Sequence, residues 1–130
     1  MHKPNLGYKA DFIHKKATGK MQLSLVSFED DDNIHFVYCP ALDITGYGHT
    51  DNEAKESFEK TLELYLNYTI NKGTFATDLK AHGWNLNKKK FSSPNFSDML
   101  KYNKEFESIV EKRNFTKFTH EIEIPDCVYA

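Results

Sequence analysis

Hydrophobic and polar positions alternate along two stretches in the first third of the chain, and then the period changes. Met21, Leu23 and Leu25 alternate with Gln22, Ser24 and Val26, which predicts a strand. Ile34, Phe36 and Tyr38 alternate with His35, Val37 and Cys39 and predict a second, ended by Pro40, which cannot donate a ladder hydrogen bond. Asp30-Asp31-Asp32-Asn33 supplies the turn between them, so residues 20–39 read as a β-hairpin. Leu42 and Ile44 resume the alternation until Gly46 and Gly48 interrupt it. Beyond that point Ala54, Phe58, Thr61, Leu62, Tyr65 and Thr69 recur at spacings of three and four, with Lys55, Glu56, Glu59, Lys60, Glu63 and Asn67 largely opposite. This is an amphipathic helix of about five turns, suited to lie on a sheet. Thr50 and Glu53 form a capping-box pair at its start, and Gly73 supplies the C-terminal cap.

The flanks carry weaker patterns. Tyr8, Ala10 and Phe12 alternate with Lys9, Asp11 and Ile13 as an edge strand would, and Ala17-Thr18-Gly19-Lys20 is turn chemistry. After Gly73, Thr74 is placed to cap a short helix carrying Phe75 and Leu79 that stops at Gly83. Asn85 to Asn87 form a short strand, and Ser92 to Asn95 a loop. One helix is expected from Ser97 and Asp98 to about Lys112, with Met99, Leu100, Phe106, Ile109 and Val110 as its apolar residues. Phe118, His120, Ile122 and Ile124 make a last strand that pairs back into the sheet and ends at Pro125. The expected fold is α+β in a single domain, 1–130. An antiparallel sheet of three to five strands carries the long helix on one face, with one or two extra helices in the C-terminal half.

The central segment resembles the HicB-like antitoxin family. The resemblance rests on a Pro-x-Leu turn (Pro40, Leu42), a Gly-x-Thr-x-x-Glu-Ala helix start (Gly48, Thr50, Glu53, Ala54) and a Leu-Tyr-Leu helix end (Leu64, Tyr65, Leu66). It covers Lys20 to Gly73, with 74–130 as a C-terminal extension. The family commonly has Asp between the Gly and the Thr, where this chain has His49. The resemblance implies a β-β-β-α-β core of partial ribonuclease-H-like form and a non-catalytic antitoxin role. A helix-turn-helix or ribbon-helix-helix often follows the HicB domain, and no clean pair of short helices around a Gly turn is visible after Gly83. Operator binding is therefore not implied.

Composition narrows the classes. In 130 residues, 39% are hydrophobic and 14% aromatic, so the core leans on Phe and Tyr. A net charge of −2 gives no electrostatic case for a dedicated nucleic-acid binder. Only Cys39 and Cys127 occur, without a CxxC or zinc spacing, and both read as thiols in a reducing cytoplasm. No stretch approaches the roughly 20 apolar residues of a membrane span. The N-terminus lacks the apolar core of a secretory signal.

Candidate chemistry is sparse. Asp30, Asp31 and Asp32 could offer oxygens to a hard cation, but adjacent turn acids point apart, and a solvated turn is favoured. Asp43 is the lone acid of the strand segments, and one carboxylate does not build a two-metal centre. The six His residues and Cys39 lack a family-like catalytic context. Lys88-Lys89-Lys90 with Trp84 and Phe91 resembles a small nucleic-acid patch, although three loop lysines are more often simply solvated. No catalytic residue, metal ligand or cofactor is expected. The leading expectation is a module that covers a small basic HicA-type ribonuclease toxin through Asp30, Asp31, Asp32, Asp43, Tyr47 and His49. Two alternatives stand beside it: a solitary HicB-fold homo-oligomer without a toxin, and a metal-dependent nuclease.

Overall fold

A computed structural model describes residues 17–87 and 90–125. The elements, in chain order, are β1 (Ala17–Glu29), β2 (His35–Cys39), β3 (Ile44–Gly48), α1 (Asp51–Lys72), α2 (Phe75–Ala81), β4 (Asn85–Leu86), β5 (Lys90–Ser92), α3 (Phe96–Tyr102), α4 (Lys104–Lys112) and β6 (Phe115–Pro125). The expected α+β fold is the observed one, but the described residues form a single sheet of six strands rather than three to five, and one of its pairings, β1 with β5, is parallel rather than antiparallel. The strand expected at Tyr8 to Ile13 lies outside the described residues, as does Cys127.

β1 is the spine of the sheet. Along one edge it pairs antiparallel with β6 from Ala17 to Phe28. Its other edge is shared: Val26 to Glu29 pair antiparallel with β2, and Lys20 and Met21 pair parallel with β5. The turn chemistry read at Ala17 to Lys20 belongs to the start of this strand, where the β6 register shifts between Ala17 and Gly19. The last strand does return to the sheet, so the C-terminal extension is built into the same body as the central segment.

Alternation sorts the residues onto two faces. Met21, Leu23, Leu25, Val37, Cys39, Ile44 and Ile122 are buried on the face that carries α1, together with Ala54, Phe58, Leu62, Leu66 and Thr69 of the helix. Register decides which half of β2 faces α1: it is Val37 and Cys39, while Phe36 and Tyr38 point to the second face. At Gly46 helix and strand meet closely. A Cβ there would lie 2.2 Å from the backbone nitrogen of Phe58 and 2.8 Å from the carbonyl oxygen of Ala54.

Both ends of α1 are set by local chemistry. Thr50 Oγ1 accepts from the Glu53 N–H (3.1 Å), while the Glu53 carboxylate reaches back to the His49 N–H (2.8 Å), one residue before the cap. Gly73 sits at φ 72°, its N–H on Ile70 O, and the Thr74 N–H bonds Thr69 O. Those two bonds form a Schellman motif, which explains the glycine. Thr74 makes no side-chain cap for α2; its hydroxyl donates to Thr69 O instead.

The second face is not left open by the single long helix. Val26, Phe28, Phe36 and Tyr38 lie there, and α4 covers part of it with Phe106 and Ile109. Phe96 of α3 meets Phe106 edge-to-face at 5.0 Å, and Tyr38 lies 6.4 Å from Phe106. The single helix expected over 97–112 is two, broken at Asn103. Its Oδ1 accepts from the Phe106 N–H (3.0 Å) to start α4, and its Nδ2 donates to Tyr38 Oη (2.9 Å). One side chain thus both restarts the helix and anchors it to β2.

Candidate functional site

The β1–β2 connection is organised by one acid. Asp30 Oδ1 accepts from the Asp32 N–H (2.9 Å) and the Ile34 N–H (3.0 Å), and the loop turns at Asn33, whose φ is 62°. Such local side-chain-to-backbone bonds are why Asp and Asn populate turns. Asp31 and Asp32 are left facing solvent. Arg113, just after α4, pairs with Asp31 at 2.8 Å; because the Asp31 side chain is 93% exposed, the pair adds little stability.

Tyr47 and His49 stand at the same end of the sheet. The pairing of His35 with Gly48 sets the close of β3 beside the hairpin loop, and α1 begins there with Asp51 and Glu53. Acids in the first turn suit the positive end of the helix dipole. Tyr47 is 65% exposed. Its backbone N–H is held by Ser57 Oγ of α1 (3.1 Å), so the strand edge is partly closed from below. Asp43 does not join this group. It sits in the turn at the far end of β2, roughly 13 Å of strand away, with φ 57°. Its carboxylate accepts from Tyr38 Oη (2.8 Å), at the head of the chain of bonds that runs through Asn103 into α4. Burial pushes the Tyr38 hydroxyl well above its ordinary range, with Asp43 adding to the rise.

A cleft that the sequence did not announce opens between the second sheet face and α4. It holds about 480 Å³ and is lined by Phe28, Phe36, Tyr38 and Thr45 from the sheet, with Glu105, Ser108, Ile109 and Lys112 across from them. Asp30 and Arg113 close its end at the hairpin loop. Phe28 and Phe36 stack at 5.2 Å, and Tyr47 extends the aromatic row at 6.2 Å from Phe36. Of this row only Phe36 stands in an alternating run of the sequence. That it faces α4 depends on the fold bringing residues some 80 positions apart, such as Phe28 and Ile109, to opposite walls of one cleft.

Several other candidates are absorbed by the core. Cys39 is fully buried, and burial pushes its thiol up to about 12, far from a thiolate at neutral pH. Trp84 is buried, its indole N–H donating to Ala41 O (2.8 Å), and Phe91 of β5 is buried with its ring stacked 6.3 Å from Phe75, so neither ring is free to stack on a base. Lys88 and Lys89 lie outside the described residues. Among the described residues no three His, Cys, Asp or Glu side chains gather closely enough to hold a metal ion, and no helix is long and apolar enough to cross a membrane.

One paired site does carry unusual electrostatics. Glu59 of α1 and His120 of β6 approach to 3.4 Å, longer than a charge-assisted hydrogen bond, and Glu59 Oε1 and His120 Nε2 are buried without hydrogen-bond partners. Burial raises the Glu59 carboxyl to about 7 and lowers the His120 imidazole below its usual value.

No family model, curated protein or solved structure matches the chain.

Proposed function

We propose that the chain is a non-catalytic binding module of the HicB antitoxin kind, whose hairpin end covers a small basic HicA-type ribonuclease toxin. The observation that carries this reading is the grouping of exposed Asp31, Asp32, Tyr47 and His49 at one end of the sheet, beside a cleft walled by Phe28 and Phe36. A toxin that grips RNA presents cations, and a partner that occludes it gains from acids at the same surface. An exposed Tyr at the rim of an aromatic cleft is the type of residue on which interface energy concentrates. Asp30 serves as the loop's internal acceptor, so Asp31 and Asp32 are the acids presented outward. Asp43, engaged with Tyr38 at the other end, supports the frame rather than the contact surface.

On this reading a neighbouring reading frame encodes a short basic protein, and that product is the partner to test. Titration calorimetry against an inactive form of it should give a one-to-one complex per chain. Asp31→Lys with Asp32→Lys should weaken binding about tenfold to a hundredfold, and Tyr47→Ala by a similar factor. Asp43→Asn should leave affinity within about threefold while lowering stability. Unchanged affinity in the double lysine variant and in the Tyr47 variant would remove the assignment of this surface.

A further inference from the structure

β6 is an eleven-residue strand paired with β1 along nearly its whole length, and among the described residues no strand lies on its other side. That leaves about 35 Å of backbone N–H and C=O groups at the sheet edge, a surface that ordinarily recruits another strand unless something discourages it. β1's opposite edge is taken by β2 and β5, and β3's outer edge already gives its Tyr47 N–H to Ser57.

The side chains along β6 select a partner. On the face turned toward α3 and α4, Lys117, Thr119 and Glu121 follow one another at every second position, and all three are exposed. The spacing is self-complementary. We propose that β6 of one copy pairs antiparallel with β6 of a second copy of this chain, with Thr119 on the two-fold axis.

In that register Lys117 of each copy lies opposite Glu121 of the other, so the same ion pair forms twice. On the α1 face, the half-buried Phe118 stands opposite the second copy's His120. Other registers are worse matched. An axis at Phe118 sets Lys117 against Thr119, and an axis at Glu121 sets that carboxylate against itself. An axis at His120 sets Lys117 against Glu123 and the two imidazoles against each other. The Lys117 Nζ already lies 4.5 Å over the Phe96 ring, so its side chain is partly ordered before a second copy's Glu121 arrives.

The axis runs perpendicular to the sheet, so the two hairpin ends emerge at opposite ends of one continuous sheet. Both stay open, and the dimer stands or falls independently of the toxin-covering surface.

Sedimentation of the full chain tests the pairing. The unmodified chain should be a dimer at roughly 100 μM. Lys117→Glu alone and Glu121→Lys alone each bring like charges together twice and should raise the dimer dissociation constant about tenfold or more. The double variant Lys117→Glu with Glu121→Lys swaps the charges and should return the constant to within about threefold of the original. Circular dichroism should show the same folded content in all forms. A monomeric unmodified chain, its edge taken by the segment ahead of Ala17 or by nothing, overturns the proposal. So do single variants that dimerise normally, a double variant as weak as the singles, or rescue of Lys117→Glu by Glu123→Lys instead. Asp31→Lys with Asp32→Lys, which weakens the toxin complex, should leave the dimer untouched.

Discussion

Gly46→Ala should destabilise the protein by about 3 kcal/mol or more, lowering the melting temperature by on the order of 10 °C. The added methyl would sit 2.2 Å from the Phe58 nitrogen and 2.5 Å from its Cα. Those are backbone atoms in the middle of α1, and no rotamer change moves them. The helix must lift off β3, and its buried face with it: Ala54, Phe58 and Leu62 are essentially inaccessible. Against a typical total stability of about 5–15 kcal/mol such a loss is severe. Gly73→Ala is the informative control. Nothing lies within 4 Å of a Cβ there, so its cost is only the left-handed backbone at φ 72°, about 1 kcal/mol. Chemical denaturation of the two variants separates close packing from backbone preference. Similar midpoints would mean that α1 does not press on β3 as described.

Glu59→Gln should stabilise the protein above neutral pH, an unusual sign for a charge removed from a helix. The folded carboxyl, at about 7, lies above its ordinary value of 4.5 because burial disfavours the ionised form. A raised folded value gives stability that is complete below pH 4.5 and lost as pH climbs through 7. The unmodified chain therefore carries a penalty at pH 8 on the order of 1–3 kcal/mol that the glutamine lacks, and the two converge near pH 4. His120 acts in the other direction. Burial depresses it, so its contribution is present above pH 6.5 and lost as pH falls through its folded value. His120→Gln should remove that acid-side loss. Stability against pH, from urea midpoints at several pH values, checks both. A Glu59→Gln curve parallel to the original would show that the carboxyl is not desolvated.

What the chain disclosed in advance follows from how local each feature is. Thr50 with Glu53, and Gly73 in its left-handed turn, fixed the ends of α1 because a cap is written within four or five residues. The hairpin from β1 to β2 was legible for the same reason, since alternation and Asp-Asn turn chemistry sit side by side. Alternation alone does not say which face is inward. Val37 and Cys39, rather than Phe36 and Tyr38, lie under α1 because β3 and its glycine hold the helix on that side.

Long-range features were less accessible. Asn103 looks like any polar helical residue until Tyr38, 65 positions earlier, accepts its amide. The cleft depends on the same return of the chain, which lays α4 over Phe28 and Phe36. Of the candidate contact residues, Asp30 to Asp32 fell where turn chemistry put them, and Tyr47 and His49 lie at that same end of the sheet. Asp43 was separated from them by the length of β2, a distance that spacing in sequence does not reveal.

On the proposed reading the hairpin end binds a protein partner. Amide chemical-shift mapping of the isotope-labelled chain, titrated with an inactive form of the proposed small basic partner, decides whether it does. Saturable shifts are expected, confined to residues 28–36, 45–49 and 105–113, with the short strands β4 and β5 unmoved. Saturation with shifts centred on β4, β5 and α2, or no shifts at all, would contradict it.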